Sequence, residues 1–136
     1  METFPAVGVR TVGRRVASLA ILGDSTGVCL GDPAPPGGWR GFGPLLMAAL
    51  GAPGEIRYRN LSVIGARMTD LRHRQLPGAV AAHPDVAVIL AGMNDTLRSD
   101  FDPVALRDDL DATVTALQAT GTVVLITRFH DHGQVF

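Results

Sequence analysis

Short apolar runs alternating with helix-length amphipathic stretches predict an α/β chain, a parallel sheet with helices on both faces. Three observations carry that expectation. Strand-length segments recur at 16–22, 56–62, 85–91 and 122–127, alternating at 56–62 and apolar in the other three, and segments of helical periodicity separate them. The 85–91 run, Asp85-Val-Ala-Val-Ile-Leu-Ala91, is apolar without alternation, as in a strand covered on both faces. At 136 residues, 46% of them apolar and 18% charged, the chain has the length and composition of one globular domain.

Taken in order, Val16 to Leu22 is the first strand, ended by Gly23. Thr26 to Gly38 holds four glycines together with Pro33, Pro35 and Pro36, so it reads as an irregular loop long enough for a binding or lid role. Trp39 to Leu50 reads as the first helix, with Gly51 as its stop. Ile56 to Ser62 is the second strand, and the alternation of Arg57 and Arg59 places it at a sheet edge. Met68 to Ala82 is helical, with a break expected at Pro77-Gly78. Asp85 to Ala91 is the third strand. Asp102 caps a third helix with Pro103 at its first position, Leu106, Leu110, Val114 and Leu117 as its inward stripe, and Asp108, Asp109 and Asp111 on its wet face. Thr122 to Thr127 is the fourth strand, and Arg128 to Phe136 is a polar tail.

Composition removes several function classes. All twelve basic residues are arginine, so neither a P-loop lysine nor a Schiff-base lysine is available. Net charge is −1 and no segment concentrates basic residues, which argues against nucleic acid as a partner. Cys29 is the only cysteine, so an intramolecular disulfide and a multi-cysteine zinc site are excluded. Arg10, Arg14 and Arg15 precede an apolar stretch of seven residues, better read as a buried strand than as a leader. No apolar stretch has the roughly 18 residues needed to span a bilayer. The expectation is a cytoplasmic protein without a membrane span.

In an open parallel sheet ligands bind beyond the carboxyl ends of the strands. The informative segments are therefore Gly23-Asp24-Ser25-Thr26, Ser62 to Gly65, Gly92-Met93-Asn94-Asp95 and His130-Asp131-His132. Ser25, in a turn bounded by Gly23 and Gly27, is either a turn cap or a nucleophile beside free backbone N–H groups. Gly23 to Gly27 also matches G-x-S-x-G, but only one strand precedes it, too few for the elbow of an α/β-hydrolase. Asn94 is either a turn residue or an amide donor to an oxyanion, and Gly65 either a turn glycine or a backbone donor.

Together, Gly23-Asp24-Ser25, Asn60 to Gly65 and Gly92-Met93-Asn94-Asp95 resemble, in order and spacing, three sequence blocks of the SGNH (GDSL-type) serine esterases and lipases. The resemblance runs from Val16 to about Thr127. It implies a flavodoxin-like three-layer α/β/α fold, a carboxylic ester as small-molecule substrate and no cofactor. It also implies Ser25 as nucleophile, with the Ser25 N–H, the Gly65 N–H and the Asn94 amide as oxyanion donors. Asp24, Thr26, Trp39, Asp95 and Arg98 are candidates to line the substrate.

The chain departs from the family in one respect. No D-x-x-H block of the kind that supplies the acid and the histidine base follows the fourth strand, and Phe136 ends the sequence just past that strand. The domain is therefore expected to be C-terminally incomplete and its activity impaired. His130 and His132 are weak base candidates: a family-like strand order 2-1-3-4 puts the fourth strand two strands from the first, roughly 10 Å away. They lack a third ligand for a metal site, and none is expected. A non-catalytic binding module and half of a two-chain enzyme are the alternatives. The exposed edge of strand four is a surface for self-association.

Overall fold

The structure is a computed structural model that describes residues 15–51 and 54–128. Its centre is a four-stranded parallel sheet in the order β2-β1-β3-β4, formed by β1 (Ser18–Gly23), β2 (Arg57–Asn60), β3 (Val86–Leu90) and β4 (Val123–Ile126). Two of the three apolar runs without alternation, β1 and β3, take the central places, and the third, β4, lies at an edge. Every residue of β1 and β3 is buried, and Leu19 pairs with Val86, Ile21 with Val88 and Gly23 with Leu90. Burying a leucine or isoleucine side chain contributes about 1.5–3 kcal/mol, so these strands hold much of the core. β2 is an edge, as the alternation of Arg57 and Arg59 predicts, and β4 is the other edge among the described residues, as the expected strand order 2-1-3-4 places it.

Helices cover both faces, giving the three layers expected. On one face lie α3 (Met68–Asp70), a π-helical segment (Leu71–Gln75), α4 (Leu76–Ala82) and α6 (Pro103–Ala119). They pack Met68, Leu71, Leu76, Ala79 and Leu117 on Ala20, Leu22, Ala87 and Ile89. On the other face α2 (Phe42–Leu50) sets Phe42, Leu46, Met47 and Leu50 against Leu19, Ile21, Val86, Val88 and Leu90. Two short helices, α1 (Ser25–Val28) and α5 (Met93–Thr96), follow β1 and β3 at the carboxyl end of the sheet.

Three local expectations are corrected. The helix expected from Trp39 is α2 and starts at Phe42, because Gly41 at φ +67° turns the chain into it and leaves Trp39 in a loop that itself opens with the short α1. The helical run 68–82 does not break at Pro77-Gly78; it widens just before them. Leu76 N–H reaches back five residues to Leu71 O, a π turn that accommodates a proline unable to donate and crowded against the preceding turn. Asp109, expected on the wet face of α6, is largely buried and accepts from Arg72 Nη1 at 2.8 Å, tying α6 to the π segment. The α6 cap is as predicted: Asp102 Oδ1 accepts from Val104 N at 2.9 Å and Ala105 N at 3.2 Å.

Candidate active site

The turn after β1 is held from several sides. Asp24 N–H donates to Leu90 O at 3.1 Å across to β3. The Asp24 carboxylate is buried and caps α1 by accepting from Thr26 N at 2.8 Å. Asp24 therefore shapes the turn, and its side chain does not reach the surface that a substrate would meet. Ser25, the first residue of α1, is half-buried, and among the described residues no hydrogen bond engages its Oγ. Gly23 is required sterically: a Cβ there would lie 2.5 Å from Leu90 O.

The loop after β2 closes on that turn. Val63 N donates to Gly23 O at 3.0 Å, continuing the parallel ladder past the end of β2. Asn60 Nδ2 donates to Gly27 O at 2.8 Å while Asn60 Oδ1 accepts from Ser62 N at 3.0 Å, so one side chain joins α1 to the loop. Gly27 has no room for a Cβ, which would collide with Ser62 Oγ. Gly65 differs: nothing lies within 4 Å of its Cβ position, and the requirement there is conformational, φ +81°. No hydrogen bond takes the Gly65 N–H among the described residues.

The segment after β3 braces the same loop. Gly92, at φ +115°, turns the chain into α5. Asn94 Nδ2 donates to Ala66 O at 3.0 Å, which fixes the amide beside Gly65 with its second N–H unused among the described residues. Asp95 does not line a pocket as expected; it is 5% exposed, and its carboxylate accepts from Met68 N at 3.1 Å. Arg67 Nε lies 3.5 Å from Asp95 Oδ1, an ion pair, and Arg67 Nη1 donates to Asp100 Oδ2 at 3.2 Å. That hydrogen bond, reinforced by the guanidinium charge, lowers the Asp100 pKa. Arg98 is exposed and follows α5 on the surface.

Beside Ser25 opens a cavity of about 660 Å³, walled by Thr26, Cys29, Leu30, Phe42 and Leu45. Asp32 closes its rim by accepting from Gly41 N at 3.0 Å and Arg40 Nη2 at 3.1 Å; the Arg40 hydrogen bond is the main cause of its lowered pKa. The 26–38 segment thus contributes a wall, in keeping with its length. Trp39 is not part of this cavity. It is 44% exposed and closes a separate loop by bridging to Pro33. His130 and His132 lie outside the described residues.

The structure therefore brings Ser25, Gly65 and Asn94 to one end of the sheet through the hydrogen bonds of their own segments. The bracing side chains Asn60, Gln75, Arg67 and Asp95 were not legible as such in the sequence. Nor were Leu30, Phe42 and Leu45, whose apolar character signals only core.

The GDSL-like Lipase/Acylhydrolase family model matches residues 21–135. None of the curated proteins compared with the chain matches it. Among solved structures, TesA is 28% identical with a TM-score of 0.71, covering 86% of this chain and 63% of its own. The psychrotrophic esterase EstA from Pseudoalteromonas sp. is 22% identical with a TM-score of 0.64, covering 84% and 60% respectively. The acetyl xylan esterase AlAXEase is 22% identical with a TM-score of 0.62, covering 80% and 56%. The last two are likenesses of fold, and the chain spans less than two thirds of the length of each of the three. Over the segments that build the sheet end and its three bracing turns, this chain belongs to the GDSL-like lipase/acylhydrolase family.

Proposed function

We propose that the chain carries the acyl-transfer site of a serine hydrolase acting on carboxylic esters. Ser25 Oγ attacks the ester carbonyl, a general base takes the hydroxyl proton, and the carbonyl oxygen becomes an oxyanion. The Ser25 N–H, the Gly65 N–H and the free N–H of Asn94 donate to that oxyanion. Its collapse breaks the ester C–O bond, the alcohol leaves with a proton, and water then releases the acid from the acyl-serine. One observation carries this reading. Three strand-end segments are hydrogen-bonded together, yet Ser25 Oγ, the Gly65 N–H and one Asn94 N–H remain unengaged among the described residues. AlAXEase and EstA are esterases by description, which supports an ester as substrate.

Among the described residues no side chain hydrogen-bonds Ser25 Oγ, and a serine without a base is a poor nucleophile at neutral pH. Slow turnover is the expectation for these 136 residues, with His130 and His132 as the candidate bases. The test is hydrolysis of p-nitrophenyl acetate by the wild-type chain and by Ser25→Ala. A slow rate lost in Ser25→Ala supports the reading. A brisk rate lost in Ser25→Ala assigns the base to His130 or His132, which their single and double alanine variants then separate. A rate unchanged by Ser25→Ala overturns Ser25 as nucleophile.

We also propose that β4 is a pairing edge between copies. Val123, Leu125 and Ile126 are about half exposed on an edge strand, the arrangement that invites edge-to-edge association. Sedimentation of the wild type should show a concentration-dependent dimer that Leu125→Lys removes. A monomer at all concentrations contradicts it.

A further inference from the structure

We propose that Gln75 is a positioning residue for the turn that carries Ser25, fixing the peptide groups on either side of Gly23; its meaning for chemistry rests on Ser25 being the nucleophile. Gln75 Oε1 accepts from Gly23 N at 2.9 Å, and Gln75 Nε2 donates to Gly23 O at 2.9 Å. One planar amide thus takes the donor and the acceptor of a single residue, 52 positions away, inside the protein. Gln75 is 4% exposed.

The pairing follows from topology. In a parallel sheet the N–H and C=O of one residue point to the same neighbour, and for Gly23 that neighbour is on the β2 side, where Val63 N also reaches Gly23 O. Regular β2 stops at Asn60, so the Gln75 amide stands where a strand residue would have been. Without it Gly23 would bury an unpaired N–H, a costly state.

The π turn makes this reach possible. Arg72 is half-buried and His73 and Arg74 are exposed, whereas Leu71, Gln75, Leu76 and Ala79 all turn inward. The wide turn directs Gln75 to the sheet end beside two core leucines. π turns of this kind occur frequently at functional sites.

The mechanical consequence reaches Ser25 in one step. Gln75 and Val63 hold the carbonyl of the Gly23–Asp24 peptide, and Leu90 O holds its N–H at 3.1 Å. That peptide is clamped at both ends, so the Asp24 torsions (φ −105°, ψ −151°) and the Thr26 cap suffice to aim the next N–H, that of Ser25. Nothing else among the described residues holds the Gly23 N–H.

The test uses two variants of the full chain and two readouts. Gln75→Met keeps the volume and loses both hydrogen bonds. Gln75→Glu keeps both when the introduced carboxyl is protonated, but sets a carboxylate against Gly23 O when it ionises. The first readout is the backbone N–H resonances of Asp24, Ser25 and Thr26 between about pH 5 and pH 8. The second is the rate at which a fluorophosphonate labels Ser25, with melting temperature as the control for folding. Expected are displaced Ser25 and Thr26 resonances in Gln75→Met, and resonances that move with pH in Gln75→Glu but not in wild type. Labelling should fall about 10- to 100-fold in Gln75→Met, the scale of a small misplacement of a reacting group. In Gln75→Glu it should fall relative to wild type as pH rises. Stationary resonances in folded variants overturn the positioning role, and so does labelling that keeps the wild-type rate and pH profile. If the resonances move as expected while wild-type Ser25 is not labelled, the Gln75 coupling stands and the reading of Ser25 as nucleophile fails.

Discussion

Asn94→Ala should slow the acylation of Ser25 by about 10²- to 10³-fold, the usual cost of removing one oxyanion donor. One N–H of the amide is spent on Ala66 O at 3.0 Å, and in the proposed site the other is left for the charge that develops during reaction. Because the donor acts on developing charge, the loss should fall on kcat and leave KM for a neutral ester nearly unchanged. Asn94→Asp is the sharper variant. It replaces a donor with a carboxylate beside the oxyanion, so it should be at least as slow as alanine despite its near-identical shape. Phosphonylation rates of Ser25 measured by intact-protein mass check both. If Asn94→Ala changes KM alone, the amide contacts substrate without serving the oxyanion.

Gly23→Ala should destabilise the domain by about 2–3 kcal/mol and abolish any Ser25-dependent rate. The added Cβ would meet Leu90 O at 2.5 Å, and that atom is backbone in a strand buried on both faces, so it has little freedom to retreat. The same oxygen accepts the Asp24 N–H, so pushing β1 from β3 also releases the turn that carries Ser25. A loss of this size lowers the melting temperature by roughly 10 °C in a domain of this length. Gly65→Ala is the contrasting case. Its Cβ meets nothing, so the cost is the roughly 1–2 kcal/mol of a left-handed non-glycine residue, and the Gly65 N–H, the proposed oxyanion donor, moves with the backbone. Thermal unfolding of the two variants separates a glycine needed for space from one needed for φ.

The sheet was readable because burial writes itself into composition. The apolar runs that became β1 and β3 lack polar alternation and have both faces covered, while Arg57 and Arg59 mark β2 as an edge; β4 is equally apolar yet largely exposed, so its edge place was legible from the expected strand order and not from its composition. Caps and turns were legible where one residue does one local job, as Asp102 does for α6. Residues 68–82 were harder. Pro77 announces that a helix is disturbed, but whether it breaks or widens depends on packing against the sheet, which local sequence does not contain. Gln75 illustrates the consequence: in Arg72-His-Arg-Gln75 it has the company of a solvated face, and only the π turn sends it inward. Asp95 and Asp109 were misplaced for the same reason, since their partners Met68 and Arg72 are 27 and 37 positions distant.

Ser25, Gly65 and Asn94 were singled out because their three strand-end segments together resemble blocks of one family; each residue alone reads equally well as part of a turn. The bracing roles of Asn60, Gln75 and Asp95 escaped notice because their partners are backbone groups of other segments.

The central claim is that Ser25 is the nucleophile of an acyl-transfer site. It is tested most directly by incubating the wild-type chain with a phosphonate ester bearing a good leaving group and locating the adduct by peptide mass spectrometry. The account predicts one adduct per chain, on Ser25, formed slowly, absent from Ser25→Ala and strongly reduced in Asn94→Ala. An adduct on another residue, or equal labelling of wild type and Ser25→Ala, would contradict it.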